Sequence, residues 1–316
     1  MASARIAATI LAGVASLIAA QPSALADETP SAQATPAAQA TPAAEATPSA
    51  PATPSTPTAA QIDVKYEPPT DPKFQPIFEA VSRRKVLERL QGFLAPLRLP
   101  KPLTIRLAEC GGADTVPYQS GEPATICYEL VRKIIDITYR NTNDPNERAQ
   151  VIYATFVEAA LHQAAYAVFD LLQVPVWGRE DDAADRVAAF VMTQFGDQVA
   201  VSTILGVAKF FEYSQHAWTG ADFAELASPE SQRFYNYLCM AYGADPLTFH
   251  FLAGAPVPGS KIGQIPDFRA VRCEREFDQV RQAFNLRIMP YIDPDLMTKV
   301  RATQWLMPDE VPGGAE

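Results

Sequence analysis

Apolar positions recur with two different periods after about residue 65, and each period predicts one kind of element. Across 74–97 they recur at roughly helical spacing, which predicts an amphipathic helix. From Leu103 to Leu107 apolar and polar residues alternate, which predicts a half-buried strand with 124–128 as its neighbour. The Gly- and Pro-rich stretch 111–123 between them predicts a loop or an irregular hairpin.

Helical spacing dominates the remainder of the chain. The longest predicted helix begins at Asn143 or Asp144 as a cap, with Pro145 in its first turn. A capping-box-like Ser228-Pro229-Glu230-Ser231 starts a later one. The predicted helices cover 128–140, 144–171, 179–195, 199–211, 228–242 and 269–288. The expected fold class is therefore a mainly helical α+β domain with a small sheet.

The first 64 residues are expected to lie outside the folded domain. Arg5, an apolar run and the small-x-small triplet Ala24-Leu25-Ala26 predict a signal peptide over 1–26, too short for a membrane span. Residues 27–64 are rich in Ala, Pro and Thr and predict a disordered linker. The domain is expected over 65–308 with a flexible tail over 309–316, in a periplasmic or secreted protein without a membrane span after cleavage.

Composition restricts the class of partner. The formal net charge is −10 and the 26 basic residues are scattered along the chain, so no footprint for nucleic acid is visible.

Four cysteines allow three pairings. For an exported chain we predict the two neighbouring pairs, Cys110 with Cys127 and Cys239 with Cys273. A cysteine-based metal site is the rival interpretation, although no CxxC spacing supports it.

Five polar residues stand out near the middle of the chain. Glu158, His162 and Tyr166 are each four residues apart on an apolar helix, so they share one face. Asp181 and Asp185 share a face of the next helix. Because unpaired polar groups in a core cost a few kcal/mol each, we expect the two helices to aim carboxylates at the imidazole.

The stretch 158–185 resembles a family of zinc metallopeptidases of bacterial envelopes that is defined through a domain of unknown function. Members carry His-Glu-x-x-His on a helix, followed by Gly-Arg-Glu-Glu-Asp-Ala-x-Asp; this chain has HQAAY and GREDDAAD. The resemblance covers roughly 78–289 and includes CYEL, which begins at Cys127, and QRFYNYLCMAYGADP. It implies a zincin-like domain.

The chain departs from the family pattern where the chemistry should be. The resemblance makes His162 the first zinc ligand and Asp185 the carboxylate that orients it. Gln163 stands at the position of the general base, Tyr166 at that of the second His ligand, and Asp181 at that of the acidic ligand. Two retained ligands are fewer than the three that a catalytic zinc takes, and an amide cannot act as a base.

Several functions stay open at this point. Glu158 lies one turn before His162, where the geometry does not suit a base, and is expected to support the site. We expect no cofactor, although zinc could bind if the fold brings a third ligand such as His216 to the site. His250 is interpreted as a structural residue. The site is then a relic network in an inactive peptidase that binds a peptide or envelope protein. The alternatives are an altered metal site and an active peptidase with non-standard ligands.

Overall fold

A computed structural model describes residues 62–217, 219–220, 224–253 and 265–301. The predicted signal peptide, most of the linker and the predicted tail lie outside these residues. The strands are β1 (Ile62–Tyr66), β2 (Leu103–Ala108) and β3 (Ala124–Cys127). The helices are α1 (Gln75–Arg84), α2 (Val86–Leu94), α3 (Tyr128–Asn141), α4 (Pro145–Leu171), α5 (Glu180–Met192), α6 (Asp197–Tyr213), α7 (Glu230–Ala244), α8 (Asp267–Arg287) and α9 (Pro294–Arg301). The predicted class, mainly helical with a small sheet, is confirmed.

The three strands form one parallel sheet in the order β1-β2-β3. β2 and β3 lie where the alternating pattern predicted them, but the hairpin interpretation of 111–123 is wrong because parallel strands need a crossover. β1 begins at Ile62, three residues before the expected start of the domain. Ile62 is buried and pairs with Leu103, so the last part of the predicted linker belongs to the sheet.

The single helix predicted over 74–97 is two helices. Lys85 adopts a left-handed conformation (φ 51°) that ends α1 and starts α2 in a new direction. Tyr66 fixes the start of α2, since its hydroxyl accepts from the Leu87 N–H at 3.1 Å and donates to Glu88 at 2.6 Å. The break therefore serves the packing of α2 on β1.

α4 is the central element of the core and packs against α3, α5, α6 and the sheet. The predicted cap at its start is confirmed, because the Asp144 carboxylate accepts the Asn146 N–H at 2.9 Å. α6 approaches closely through Gly206, where an added Cβ would lie 2.5 Å from Cβ of Ala154. A glycine is required there by the contact between the two helices.

Both predicted disulfides are confirmed. Cys110–Cys127 closes the loop between β2 and β3, and the Glu129 carboxylate accepts the backbone N–H groups of Cys110 and Gly112 in the same loop. Cys239–Cys273 joins α7 to α8. Disulfides persist in oxidising compartments, which is consistent with an extracytoplasmic location.

The capping box predicted at residue 228 is wrong. α7 begins at Glu230 after Pro229, without a side-chain cap. The Ser228 hydroxyl instead donates to Asp182 at 2.8 Å, and the Ser228 N–H donates to the same carboxylate. This serine therefore connects the start of α7 to the first turn of α5.

Candidate functional site

Three packed helices bring the predicted polar residues together with two that come from α7. α4 packs on α5, and α5 packs on α7. The resulting network is formed by Glu158, His162 and Tyr166 of α4, Asp181 and Asp185 of α5, and Arg233 and Tyr237 of α7.

His162 lies between two carboxylates, one at each ring nitrogen. Its Nδ1 is 2.8 Å from Asp185 Oδ1, and its Nε2 is 3.5 Å from Asp181 Oδ1. Burial by itself lowers the pKa of an imidazole. Here the hydrogen bonds to Asp181 and Asp185 and the nearby Glu158 charge outweigh burial and raise the pKa of His162 to about 9. The ring is therefore a buried imidazolium at neutral pH.

Arg233 holds Asp185 from the opposite side. Its Nε and one terminal nitrogen donate to the two carboxylate oxygens, both at 2.7 Å, and Asp185 is only 2% exposed. Burial raises the pKa of Asp185, but the Arg233 and His162 charges overcome it and hold the pKa well below its usual range. The guanidinium also lies over the ring of Phe211, 4.2 Å from its centroid.

Glu158 closes the network at its inner end. Its Oε1 accepts the Tyr237 hydroxyl at 2.6 Å and lies 3.7 Å from Arg233 and 4.0 Å from His162 Nδ1. Burial and the negative charge of Asp185 raise the pKa of the Glu158 carboxyl. This residue is thus a structural partner of the cations.

Tyr166 contacts the outer end of the network. Its ring lies edge-on to the ring of His162, with 5.1 Å between centroids, and its hydroxyl hydrogen-bonds Asp181. Burial and the Asp181 charge raise the pKa of the phenol well above its usual value. The hydrogen bonds from His162 and Tyr166 lower the pKa of Asp181. The Tyr166 phenol is therefore neutral at neutral pH.

Gln163 is buried beside this network without completing it. Its Oε1 has no hydrogen-bond partner among the described residues. A buried unpaired acceptor costs about 1–3 kcal/mol. The Gln163 side chain is therefore neutral and non-basic, with an unpaired amide oxygen.

The other two described histidines lie elsewhere. His216 is half exposed, with Nδ1 3.8 Å from a Glu230 carboxylate oxygen, and His250 faces the Leu247 carbonyl oxygen at 2.8 Å. Among the described residues, the group around His162 with metal-ligating chemistry contains Glu158, His162 and Asp185 and neither of these histidines. His216 therefore does not supply the third ligand that a zinc site at His162 would need.

A family model described as "Putative metallopeptidase" matches residues 66–287. The chain belongs to this metallopeptidase family. No curated protein and no solved structure shows a significant match to it. The family predicted from the resemblance of the 158–185 stretch is thereby confirmed. The matched residues include the whole network and both disulfides.

The zinc that this metallopeptidase family implies does not fit the side chains present. In the group Glu158–His162–Asp185, Nδ1 of His162 and both oxygens of Asp185 already take part in hydrogen bonds, and Arg233 places a positive charge against both carboxylates. On the Nε2 side, within the part of the chain that the structure describes, Asp181 is the one carboxylate recorded close to the ring. A catalytic zinc takes three protein ligands, and neither side of His162 supplies them.

Two members of the network were not predicted in these roles. In the sequence alone, Arg233 is equally compatible with the acidic centre and with a surface salt bridge, and Tyr237 is compatible with simple packing. They lie four residues apart on α7, so they share a face. That spacing was the available signal, but only the packing of α7 on α5 shows which helix this face meets. The metal-related roles of Gln163, Tyr166 and Asp181 stay predictions.

Proposed function

We propose that this chain is an exported member of the metallopeptidase family that does not hydrolyse peptides and acts by binding. The observation that carries the proposal is His162, whose ring nitrogens face Asp185 at 2.8 Å and Asp181 at 3.5 Å. Both ring nitrogens thus face carboxylates, while Tyr166 and Gln163 occupy the positions where the resemblance places the second ligand and the general base.

The balance of charge supports this proposal. Glu158, Asp181 and Asp185 face the Arg233 guanidinium and the His162 imidazolium. Buried carboxylates need cationic partners because an isolated buried charge is strongly unfavourable. The two side-chain cations fill the role that a divalent ion would otherwise have, so the network is satisfied without metal.

The residue at position 163 supports the proposed inactivity independently of the charges. Loss of a general base typically lowers the rate about 100- to 10,000-fold. Gln163 has no basic group, and the nearest acidic alternative, Glu158, is 4% exposed and bonded to Tyr237. Asp181 is partly exposed, but the hydrogen bonds from His162 and Tyr166 lower its pKa and make it a weak base.

A groove of about 400 Å³ between the turn after α4 and helix α8 supports the binding role. Trp177 on its edge is 95% exposed, and Arg186 and Arg287 also line it. Tryptophan and arginine are enriched at the energetically important centres of interfaces. We infer that the partner is an acidic peptide or a segment of an envelope protein.

Export is inferred from the sequence and from the disulfides. The predicted signal peptide lies outside the described residues, and two disulfides suit an oxidising compartment. None of the described helices combines the length and apolarity that crossing a bilayer requires.

Metal content and peptide hydrolysis test the inactivity. The purified full chain should contain zinc far below one per chain, and peptide cleavage should not exceed that of His162→Ala. The combined variant Gln163→Glu, Tyr166→His and Asp181→Glu should gain about one zinc per chain, with Gln163→Glu alone as its matched control. One tightly held zinc in the natural chain, with cleavage that a chelator abolishes, would show an active peptidase with non-standard ligands instead.

The binding role has its own test. Selection from a peptide library should enrich acidic sequences, and Trp177→Ala should weaken their binding about tenfold or more. Leu247→Ala is the matched control, because Leu247 is 86% exposed and does not line the groove. Equal losses of peptide affinity in Trp177→Ala and Leu247→Ala would show that the groove is not the binding site.

A further inference from the structure

A large cavity lies beside α4 and α5, separate from the carboxylate–imidazole network. Its volume is about 450 Å³, and residues of α2, α4, α5, α8 and α9 line it. None of the network residues is among them. The cavity therefore requires an explanation of its own.

The walls of this cavity are mostly hydrocarbon and aromatic. Protein interiors contain few voids larger than a water molecule, and an apolar cavity does not hold water well. Ligand pockets measure about 300–1,000 Å³ and are lined mainly by apolar side chains with a few polar groups. The apolar walls include Leu161, Ala164, Val168, Val187, Phe190 and Phe284.

Two guanidinium groups also line the cavity, on its solvent-accessible side. The Arg301 side chain donates to Gln194 Oε1 at 3.2 Å, and Arg281 pairs with Asp278 at 2.8 Å with about half of its side chain exposed. The exposed Arg281–Asp278 pair is worth at most about 1 kcal/mol, and the Gln194 amide is uncharged, so neither guanidinium is strongly neutralised. An apolar interior with arginines where it meets solvent suits an amphiphilic ligand with an anionic head.

Two acidic residues line the cavity as well. The Asp245 carboxylate accepts the N–H groups of Leu247 and Thr248 and so serves the turn after α7. Asp197 lies in the first turn of α6, where a negative charge complements the helix dipole. Both carboxylates thus have local roles that do not compete for an anionic head group.

We propose that this cavity binds the acyl chain of one fatty acid, with its carboxylate at Arg281 and Arg301. The chain lies against the apolar walls, where each buried methylene contributes about 0.8 kcal/mol. The proposal goes beyond the binding of a peptide and does not depend on the state of His162.

Calorimetric titration of the full chain, after extraction of bound lipid, tests the proposal directly. Dodecanoate should bind one per chain with a Kd in the micromolar range. Dodecan-1-ol has the same hydrocarbon chain without the carboxylate and should bind about tenfold more weakly. Failure of both to bind would overturn the proposal.

Variants locate the site. Val191→Phe and Ala165→Leu add bulk to residues that line the cavity and should weaken dodecanoate binding about tenfold or more, while Val271→Phe, at an exposed position outside the cavity, should not. The pair Arg281→Gln and Arg301→Gln leaves the core untouched and should weaken binding of dodecanoate but not of dodecan-1-ol. Unchanged affinity in folded cavity variants, or in the double glutamine variant, would refute the assignment.

The chain's own residues 302–316 are the competing occupant. They follow directly on Arg301, which lines the cavity, and they include Trp305, Leu306 and Met307. A chain that ends at Arg301 separates the two cases. Equal dodecanoate binding by the full and the shortened chain supports the fatty-acid site, whereas binding by the shortened chain alone shows that this segment is the occupant and overturns the proposal.

Discussion

Substituting Arg233 tests whether side-chain cations stabilise the network. Arg233→Met keeps much of the aliphatic volume but removes both hydrogen bonds to Asp185 and the charge 3.7 Å from Glu158. Breaking a buried ion pair by removing one partner costs about 3–5 kcal/mol. Because His162 still pairs with Asp185, we expect the lower end, a loss of about 3 kcal/mol in the free energy of unfolding.

Urea denaturation at neutral pH, followed by circular dichroism, measures this loss. Arg132→Met is the matched control, since Arg132 pairs with Asp136 on the exposed face of α3 and the pair spans one helical turn. Exposed pairs of this spacing contribute about 0.3–0.5 kcal/mol. The contrast between the two variants separates the buried guanidinium from the general effect of removing a positive charge.

A double-mutant cycle decides whether the loss belongs to the Arg233–Asp185 pair. Asp185→Asn removes the carboxylate charge that Arg233→Met deprives of its guanidinium partner. The double variant should therefore lose about 2 kcal/mol less stability than the sum of the single losses. If the losses add within about 0.5 kcal/mol, or if Arg233→Met costs under 1 kcal/mol, the charge-balance reasoning is wrong.

Three further predictions follow from other parts of the structure. The pKa of His162 rises from 6.5 to about 9 on folding. Protonation of His162 therefore contributes about 3 kcal/mol to the free energy of unfolding below pH 6.5, and this contribution is lost as the pH rises through 9. The difference in stability between the natural chain and His162→Gln should shrink between about pH 6 and about pH 10. Gln163→Met removes the unpaired buried oxygen and should raise the free energy of unfolding by about 1 kcal/mol in urea, whereas a loss would reveal a partner for the amide. Replacing Cys110 and Cys127 together by alanine should lower stability by about 3 kcal/mol, measured by calorimetry; an unchanged transition would contradict this.

Periodicity predicted those elements whose apolar pattern is long or strictly alternating. β2, β3 and the helices from α3 to α8 lie close to their predicted positions, because their apolar faces meet one core. β1 was missed, although Ile62, Val64 and Tyr66 alternate with two polar residues, because this short segment was assigned to the Pro-rich linker that precedes it. The helix break at Lys85 follows from how α2 packs on β1. The spacing of apolar residues along 74–97 does not predict this contact.

The candidate site was predictable to the extent that it follows helix geometry. The four-residue spacings of Glu158 with His162, and of Asp181 with Asp185, predicted that imidazole and carboxylates would meet, and His162 contacts both aspartates. Arg233 comes from a helix 48 residues beyond Asp185 in sequence. Its role depends on how three helices pack, and a single sequence does not specify that packing.

The proposed absence of a bound zinc and the pairing of Arg233 are parts of one electrostatic problem. The buried Glu158 and Asp185 and the partly exposed Asp181 need positive charge nearby, so a chain without a divalent ion at this position needs another source of cations. Arg233 and protonated His162 supply it. We therefore expect that Tyr166→His alone will not give metal binding, because a metal ion would still compete with the proton on the His162 ring. Restoration needs the stronger donor set of the combined variant, and its zinc uptake should increase as the pH rises toward 9.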